Sequence, residues 1–270
     1  MTELKRSVRL LTYAQPGALG PKKDWHPVRN RGMFRLVEQR TSHNRAPHQL
    51  PAGRHGLPRA FVVSNQRERI LDAVLQAASR SGYAAMRIED VIAIAGVSRR
   101  TFYDHFANKE EAFLAAYELV LDQLLSGVTS AFATGETWTS RVRRGLAAFL
   151  NLLAAEPVLA QVCVVEALAA GPRALARRAA AMEAFQVLLQ PPPDDALVTS
   201  TAPPVAIEAI VGGIYEVIYS RVTSNRTAEL PTLLPSLLHS ALLPFVGHEI
   251  AEAEYQRVTR TAAERAVPTP

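Results

Sequence analysis

The sequence predicts an all-α protein, and three observations carry that reading. Apolar residues recur every three or four positions along most of the chain, the spacing of one helix face. Gly82, Gly96, Pro157, Pro172 and Pro191-Pro192-Pro193 stand where such runs begin or end. No alternating strand pattern of useful length occurs.

The elements follow in order. Residues 1–60 are rich in Arg, Pro, His, Asn and Gly and show no period, so they are expected to be a basic, disordered extension. Met33 offers an internal start there. Its last part, Arg54-His55-Gly56-Leu57-Pro58-Arg59, is either a solvated tail or a flexible arm suited to a DNA minor groove. A first helix is expected from about Asn65, with Ile70, Leu71, Val74, Leu75 and Ala78 on its apolar face and Gly82 as its stop. A short helix over Ile88–Ala95 follows, then the turn Gly96-Val97. Ser98 caps a third helix through about His105. Asn108 caps a fourth, answered by Glu111 in the manner of a capping box, and this helix continues through Leu124. Further helices are expected at 137–155, 157–170, 172–190, 203–223, 228–246 and 247–264.

Charge and composition remove several classes of function. The formal net charge is +5, but residues 1–66 hold twelve Lys or Arg against three Asp or Glu, and the remainder 18 against 22. The basic balance therefore belongs to the extension, and an argument for nucleic-acid binding must rest on placed residues. Cys163 is the single cysteine, which excludes an internal disulfide and a cysteine-based metal cluster and suits a reducing cytoplasm. No run of about 18 uncharged apolar residues is expected, hence no membrane span. No His-Glu-x-x-His spacing, Gly-rich phosphate loop or Gly-x-Ser-x-Gly elbow occurs, so no catalytic residue, metal site or cofactor is assigned and the protein is read as a non-enzyme.

The informative stretch is Arg87–Lys109, two short helices around a glycine turn followed by a long amphipathic one. A short helix held by a scaffold fits the major groove of DNA. Ser98, Arg99, Arg100, Thr101, Tyr103 and His105 supply polar groups for base edges and phosphates, while Phe102 and Phe106 suit the inward face. Arg99 or Arg100 is suited to a bidentate contact with guanine; Tyr103, His105 and Lys109 are suited to phosphates. Taken singly, Arg99, Arg100 and Lys109 could equally be a solvated face.

This stretch resembles the DNA-binding domain of the TetR family of bacterial regulators. The resemblance rests on Gly96-Val97-Ser98, Thr101-Phe102-Tyr103-Asp104-His105-Phe106 and Asn108-Lys109-Glu110-Glu111, and covers Arg67 to Tyr117. It implies a three-helix DNA-binding domain at 61–110 joined by a long fourth helix to a helical ligand-binding and dimerisation domain at 111–265. It also implies Ser98, Arg99, Arg100 and Thr101 at or near base edges, and Tyr103, His105 and Lys109 at phosphates. Arg87 departs from the Thr or Ser usual at the start of the second helix. It cannot cap, although Glu89 and Asp90 favour that end of the helix dipole and Arg87 could itself hold a phosphate.

The resemblance further implies a repressor, released from an inverted-repeat operator by a small molecule, that dimerises through about 203–246. That region is strongly apolar, and Gly212-Gly213 permits close helix approach. Candidate ligand-lining residues are Phe149, Val162, Glu166, Met182, Phe185, Tyr215 and Tyr219, each of which also suits core packing. Glu166, in so apolar a helix, needs a partner: Arg177, Arg178 or a cationic ligand. A helical small-molecule-binding protein without specific DNA recognition is the alternative.

Overall fold

In the computed structural model the described residues, 59–198 and 202–266, form helices and connecting turns, with no strand among them. The expectations for the extension, its Arg54–Arg59 arm and Met33 fall on residues outside these, save Arg59 and Ala60, which are helical, so the first helix starts earlier than the expected Asn65. By its packing the chain divides between Arg69 and Ile70, and the contacts below are those of the second part, from Ile70 onward.

Helix α1 spans Arg59–Ser81, and from Ile70 onward its apolar face, Ile70, Leu71, Val74, Leu75 and Ala78, is buried. Gly82 ends it at φ +78°, donating its N–H to Ala78 O, a left-handed stop that a side chain would strain. Next come α2 (Ile88–Ala95), α3 (Arg99–His105) and α4 (Lys109–Phe132). Thr137 Oγ1 accepts the Ser140 N–H and starts α5 (Trp138–Ala155). The turn before it needs Gly135, since a Cβ there would lie 2.6 Å from Arg141 N.

Pro157 opens α6, but α6 is Pro157–Val164 and does not run to residue 170. The chain tightens into a 3₁₀ turn at Glu166–Leu168. The cause is long-range: the Tyr215 hydroxyl donates to Val164 O at 2.5 Å, and the Glu166 side chain turns toward the region after α1. Helices α7 (Pro172–Leu189) and α8 (Pro204–Thr223) each carry proline in the first turn, where a missing N–H costs nothing. The expected helix at 228–246 begins instead with a 3₁₀ segment, Thr227–Leu233, around Pro231. Only then does α9 (Leu234–Ala266) start, and it bends at Gly247, φ 75°.

The main core joins five helices. Val128 and Phe132 of α4, Trp138 and Val142 of α5 and Leu188 and Leu189 of α7 meet Val211 of α8 and Leu238, Leu242 and Phe245 of α9. The Trp138 and Phe245 rings stand edge to face at 5.3 Å, a favoured aromatic geometry. Against the expectation, two stretches are long and apolar enough to cross a membrane by length and composition, Lys109–Phe132 and Thr227–Thr261. Half of the most apolar window of the first, and 39% of the second's, is buried inside the fold, which accounts for much of that apolarity by core packing.

Phe245→Ala should destabilise the protein by about 3–5 kcal/mol, the range for truncating a fully buried Phe. Chemical denaturation at one protein concentration checks this against Leu175→Ala, whose side chain is 42% exposed and whose loss should cost far less.

Candidate functional site

The turn between α2 and α3 follows from two residues. Gly96 sits at φ 61°, ψ 41°, letting α2 stop and the chain reverse within two residues. Ser98 then caps α3, its Oγ accepting the Thr101 N–H at 3.0 Å and meeting Thr101 Oγ1 at 2.8 Å. Phe102 and Phe106 are buried at 0% and 2% exposure, which fixes the roll of α3. Arg99, Arg100, Tyr103 and Asp104 are consequently turned outward, with Thr101 and His105 half-buried.

Each candidate DNA contact now has a place. Arg99 is exposed but pairs with Glu89 of α2 at 2.9 Å. An ion pair this open to water is worth at most about 1 kcal/mol, so a guanine edge or phosphate can displace Glu89. Arg100 is exposed and holds no side-chain partner among the described residues. Tyr103 is 47% exposed, its ring set edge-on against Phe102. Arg87 lies exposed at the start of α2, where Asp90 Oδ2 accepts its backbone N–H at 3.0 Å. This is the reciprocal arm of a capping box: Asp90 takes the N–H of residue 87, while no side chain supplies the acceptor that a Thr or Ser there would offer to the first turn.

Lys109, expected at a phosphate, is engaged within the protein in this structure. Its Nζ donates to the carbonyls of Tyr83, Ala84 and Met86 at 2.9, 3.3 and 3.1 Å, and lies 4.5 Å from the Tyr83 ring centroid. An ammonium has three protons, and three carbonyls take them. The capping of α4 also differs slightly from expectation. Asn108 Oδ1 accepts the Glu111 N–H at 2.9 Å, but Glu111 reaches back to the Ala107 N–H at 2.7 Å, not to that of Asn108.

Tyr83 is the meeting point. Its carbonyl accepts from Lys109, its ring packs edge-on to Phe113 at 4.8 Å, and its N–H donates to Glu166 Oε2 at 2.7 Å. Glu166 is 7% exposed, and its other oxygen accepts from Gln161 Nε2 at 2.8 Å. The partner of this buried acid is therefore a backbone amide and a glutamine, not Arg177 or Arg178. Arg177 pairs with Glu118 at 2.7 Å, and the Arg178 guanidinium lies 4.1 Å over the Tyr215 ring.

Helices α4 to α9 line a partly open apolar cavity. Of the candidate lining residues, Phe149, Met182, Phe185 and Tyr215 stand on its wall. Three do not: Val162 is packed at 0% exposure, Glu166 faces Tyr83, and Tyr219 stacks behind Tyr215 at 6.4 Å. Most of the wall escaped the sequence reading as cavity residues, including its polar members Tyr117 and Arg178. Periodicity placed Tyr117 on the apolar face of α4, and in the pair Arg177-Arg178 it could not tell which turns inward. Cys163 also touches the cavity, but burial pushes its thiol pKa up and leaves it a neutral packing group.

The short α3, raised on a glycine turn and backed by two buried phenylalanines, defines a helix-turn-helix protein. Residues 70–116 match the model of the family described as bacterial regulatory proteins, tetR family. Over those residues the chain is similar to the DNA-binding domain of that family. It is 30% identical over 103 residues to the HTH-type transcriptional activator FasR of Mycolicibacterium smegmatis, covering 38% of this chain and 47% of FasR. It is also 30% identical over 98 residues to the HTH-type transcriptional regulator YxbF of Bacillus subtilis, covering 36% and 26%. The matches thus span less than half the length of these curated relatives.

Among solved structures, the fatty acid degradation regulator FadR of Bacillus halodurans has a TM-score of 0.60 at 19% identity, over 66% of this chain and 94% of its own. FadR of Bacillus subtilis, solved with stearoyl-CoA, has a TM-score of 0.58 at 18% identity, over 65% and 96%. At those identities the likeness is one of fold.

Lys109→Met should destabilise the helix-turn-helix by about 1–3 kcal/mol, since three carbonyls lose their donor. If Lys109 Nζ keeps its three carbonyls on DNA, the salt dependence of binding by the folded variant should keep its slope; a slope lower by about one would mark it as a phosphate contact. Glu166→Ala should speed amide exchange at Tyr83, read by hydrogen–deuterium exchange, with little change at Ile70–Ala78.

Proposed function

We propose that this protein is a homodimeric transcriptional repressor. It binds an inverted-repeat operator through α3 and is released when a small molecule occupies the cavity. In this reading residues 61–110 form the DNA-binding domain and 111–265 the regulatory and dimerisation domain. The observation that carries it is the outward row Arg99, Arg100 and Tyr103 over the buried pair Phe102 and Phe106. Arg99 and Arg100 read base edges near Ser98 and Thr101, while Tyr103, His105 and Arg87 hold phosphates. A seven-residue helix offers few contacts, so a second copy is needed for tight binding.

The dimer forms through α8 and the first half of α9. Support comes from Val205, 67% exposed, and Leu243, 38% exposed, together with Gly212 and Gly213, where an added Cβ would meet nothing within 4 Å. Those open glycines suit close approach of a partner helix. The apolar cavity, and the stearoyl-CoA bound to FadR of Bacillus subtilis, support control by a small molecule. The tie between Glu166 and Tyr83 gives the cavity a path to the helix-turn-helix, because Cys163 and Val164 line one and Glu166 holds the other.

Footprinting on the protein's own promoter region, with a salt titration, tests the reading. A protected inverted repeat is expected, with half-site centres about 34 Å apart and an affinity that falls with salt. Arg100→Ala should cost about 1–3 kcal/mol and relax the preference at one base pair. Sequence-independent binding alone, here and in a genome-wide selection of bound fragments, would overturn it.

A further inference from the structure

The cavity is lined along much of α4 and is polar at one end. Its volume is about 120 Å³, and Tyr117, Leu121, Leu124, Val128 and Phe132 of α4 line it in succession. That run follows the helix for about 22 Å at the usual rise per residue. So small a volume over such a length leaves room for a slender chain and not for a fused ring system. Arg178 is the one charged side chain on the wall, and no carboxylate stands there to balance it.

The polar end holds more donors than acceptors. Arg178 Nε is buried and has no hydrogen-bond acceptor, while the guanidinium lies 4.1 Å from the Tyr215 ring centroid and bonds the Tyr215 side chain. Tyr117 is 1% exposed, and its hydroxyl has no hydrogen-bond partner among the described residues. Burial pushes the Tyr117 phenol well above its ordinary pKa, so it remains a donor at any working pH. The Tyr215 hydroxyl is committed to Val164 O. Buried donors without acceptors are costly, and a buried cation calls for an anion. The opposite end, around Phe132, Val142 and Leu189, offers only carbon.

We propose that the cavity binds an unbranched long-chain carboxylate, its head between Arg178 and Tyr117 and its tail along α4 toward Phe132 and Val142. This rests on the cavity being the effector site of the regulator described above. A cationic drug would meet Arg178 with no compensating acid, and a sugar would find almost nothing to bond. The head also seats beside Tyr215, whose hydroxyl holds Val164 two residues before Glu166. The occupied end of the cavity is therefore the end that touches the tie to Tyr83.

Isothermal titration of the full chain with laurate and palmitate, each below its micelle concentration, tests this against cetyl alcohol and cetylamine. Palmitate should bind saturably, one per chain, with the alcohol weaker by about tenfold or more. Arg178→Met should abolish that preference while the alcohol's affinity holds. Val142→Phe, which narrows the apolar end, should shift the preferred chain from palmitate to laurate. Melting curves confirm that both variants are folded. The proposal is overturned if palmitate does not saturate the wild type, or if folded Arg178→Met binds palmitate as tightly as the wild type. An unchanged chain-length preference in folded Val142→Phe would overturn it too, as would a preference for palmitoyl-coenzyme A over the free acid. No DNA enters these titrations, so their failure leaves the operator reading intact, and a failed footprint leaves this one.

Discussion

A buried carboxylate accepting one backbone N–H is the joint on which the rest of this structure turns. Glu166 leaves the 3₁₀ turn after α6 and reaches Tyr83, the residue that follows the glycine stop of α1. The segment 83–86 lies between α1 and α2, and its backbone groups have no helix to pair with. Two charged side chains remote in sequence meet them instead: Glu166 takes an N–H, and Lys109 supplies protons to three carbonyls. Each contact is charge-assisted, hence stronger than an amide pair. Together they set where α1 ends and α2 begins, and so where α3 stands relative to α4.

That joint also explains why α6 is short. A continuous helix through Glu166 would put Val164 O into the ordinary ladder and direct the carboxylate elsewhere. The structure shows a 3₁₀ turn instead, with Tyr215 bonded to Val164 O. Sharp local departures of this kind have two nearby alternatives, the tight turn and the regular helix, and a discrete pair of states is what coupling requires. An occupant that moves Tyr215 shifts the balance between them only by as much as it prefers one state. In the proposed reading, release of Glu166 from Tyr83 would be the corresponding change on the DNA side.

The sequence made legible whatever depends on local rules. Periodicity gave the buried face Ile70 to Ala78; Gly96, Ser98 and Asn108 gave the turn and the caps; Phe102 and Phe106 gave the roll of α3. Long-range polar contacts were not legible. Nothing in the spacing of Lys109 says that its ammonium folds back onto residues 83 to 86, and a lysine in the first turn of a helix reads equally as a phosphate contact. Glu166 was visible as an acid needing a partner, yet the partner is an amide 83 residues earlier, and amides leave no mark in sequence. The break after Val164 was hidden for the same reason, since Tyr215 makes it from α8. At Arg177 and Arg178 a shift of one residue decides which cation faces Glu118 and which the cavity, finer than a periodic pattern resolves.

The charge distribution sharpens what α3 must do. Beyond residue 66 the chain holds 18 Lys or Arg against 22 Asp or Glu, so the body as a whole repels a phosphate backbone. Attraction has to come from a few placed cations, and one of them, Arg99, is held by Glu89 in the free protein. Such an arrangement weakens binding to arbitrary DNA, where Arg99 gains only a phosphate in exchange for its carboxylate. In the proposed reading, a matching guanine would return two aligned hydrogen bonds, and the exposed Glu89 pair is weak enough to yield. Glu89 would raise the contrast between sites only where Arg99 stays with it on arbitrary DNA and leaves it at the right base, since a cost common to every encounter cancels.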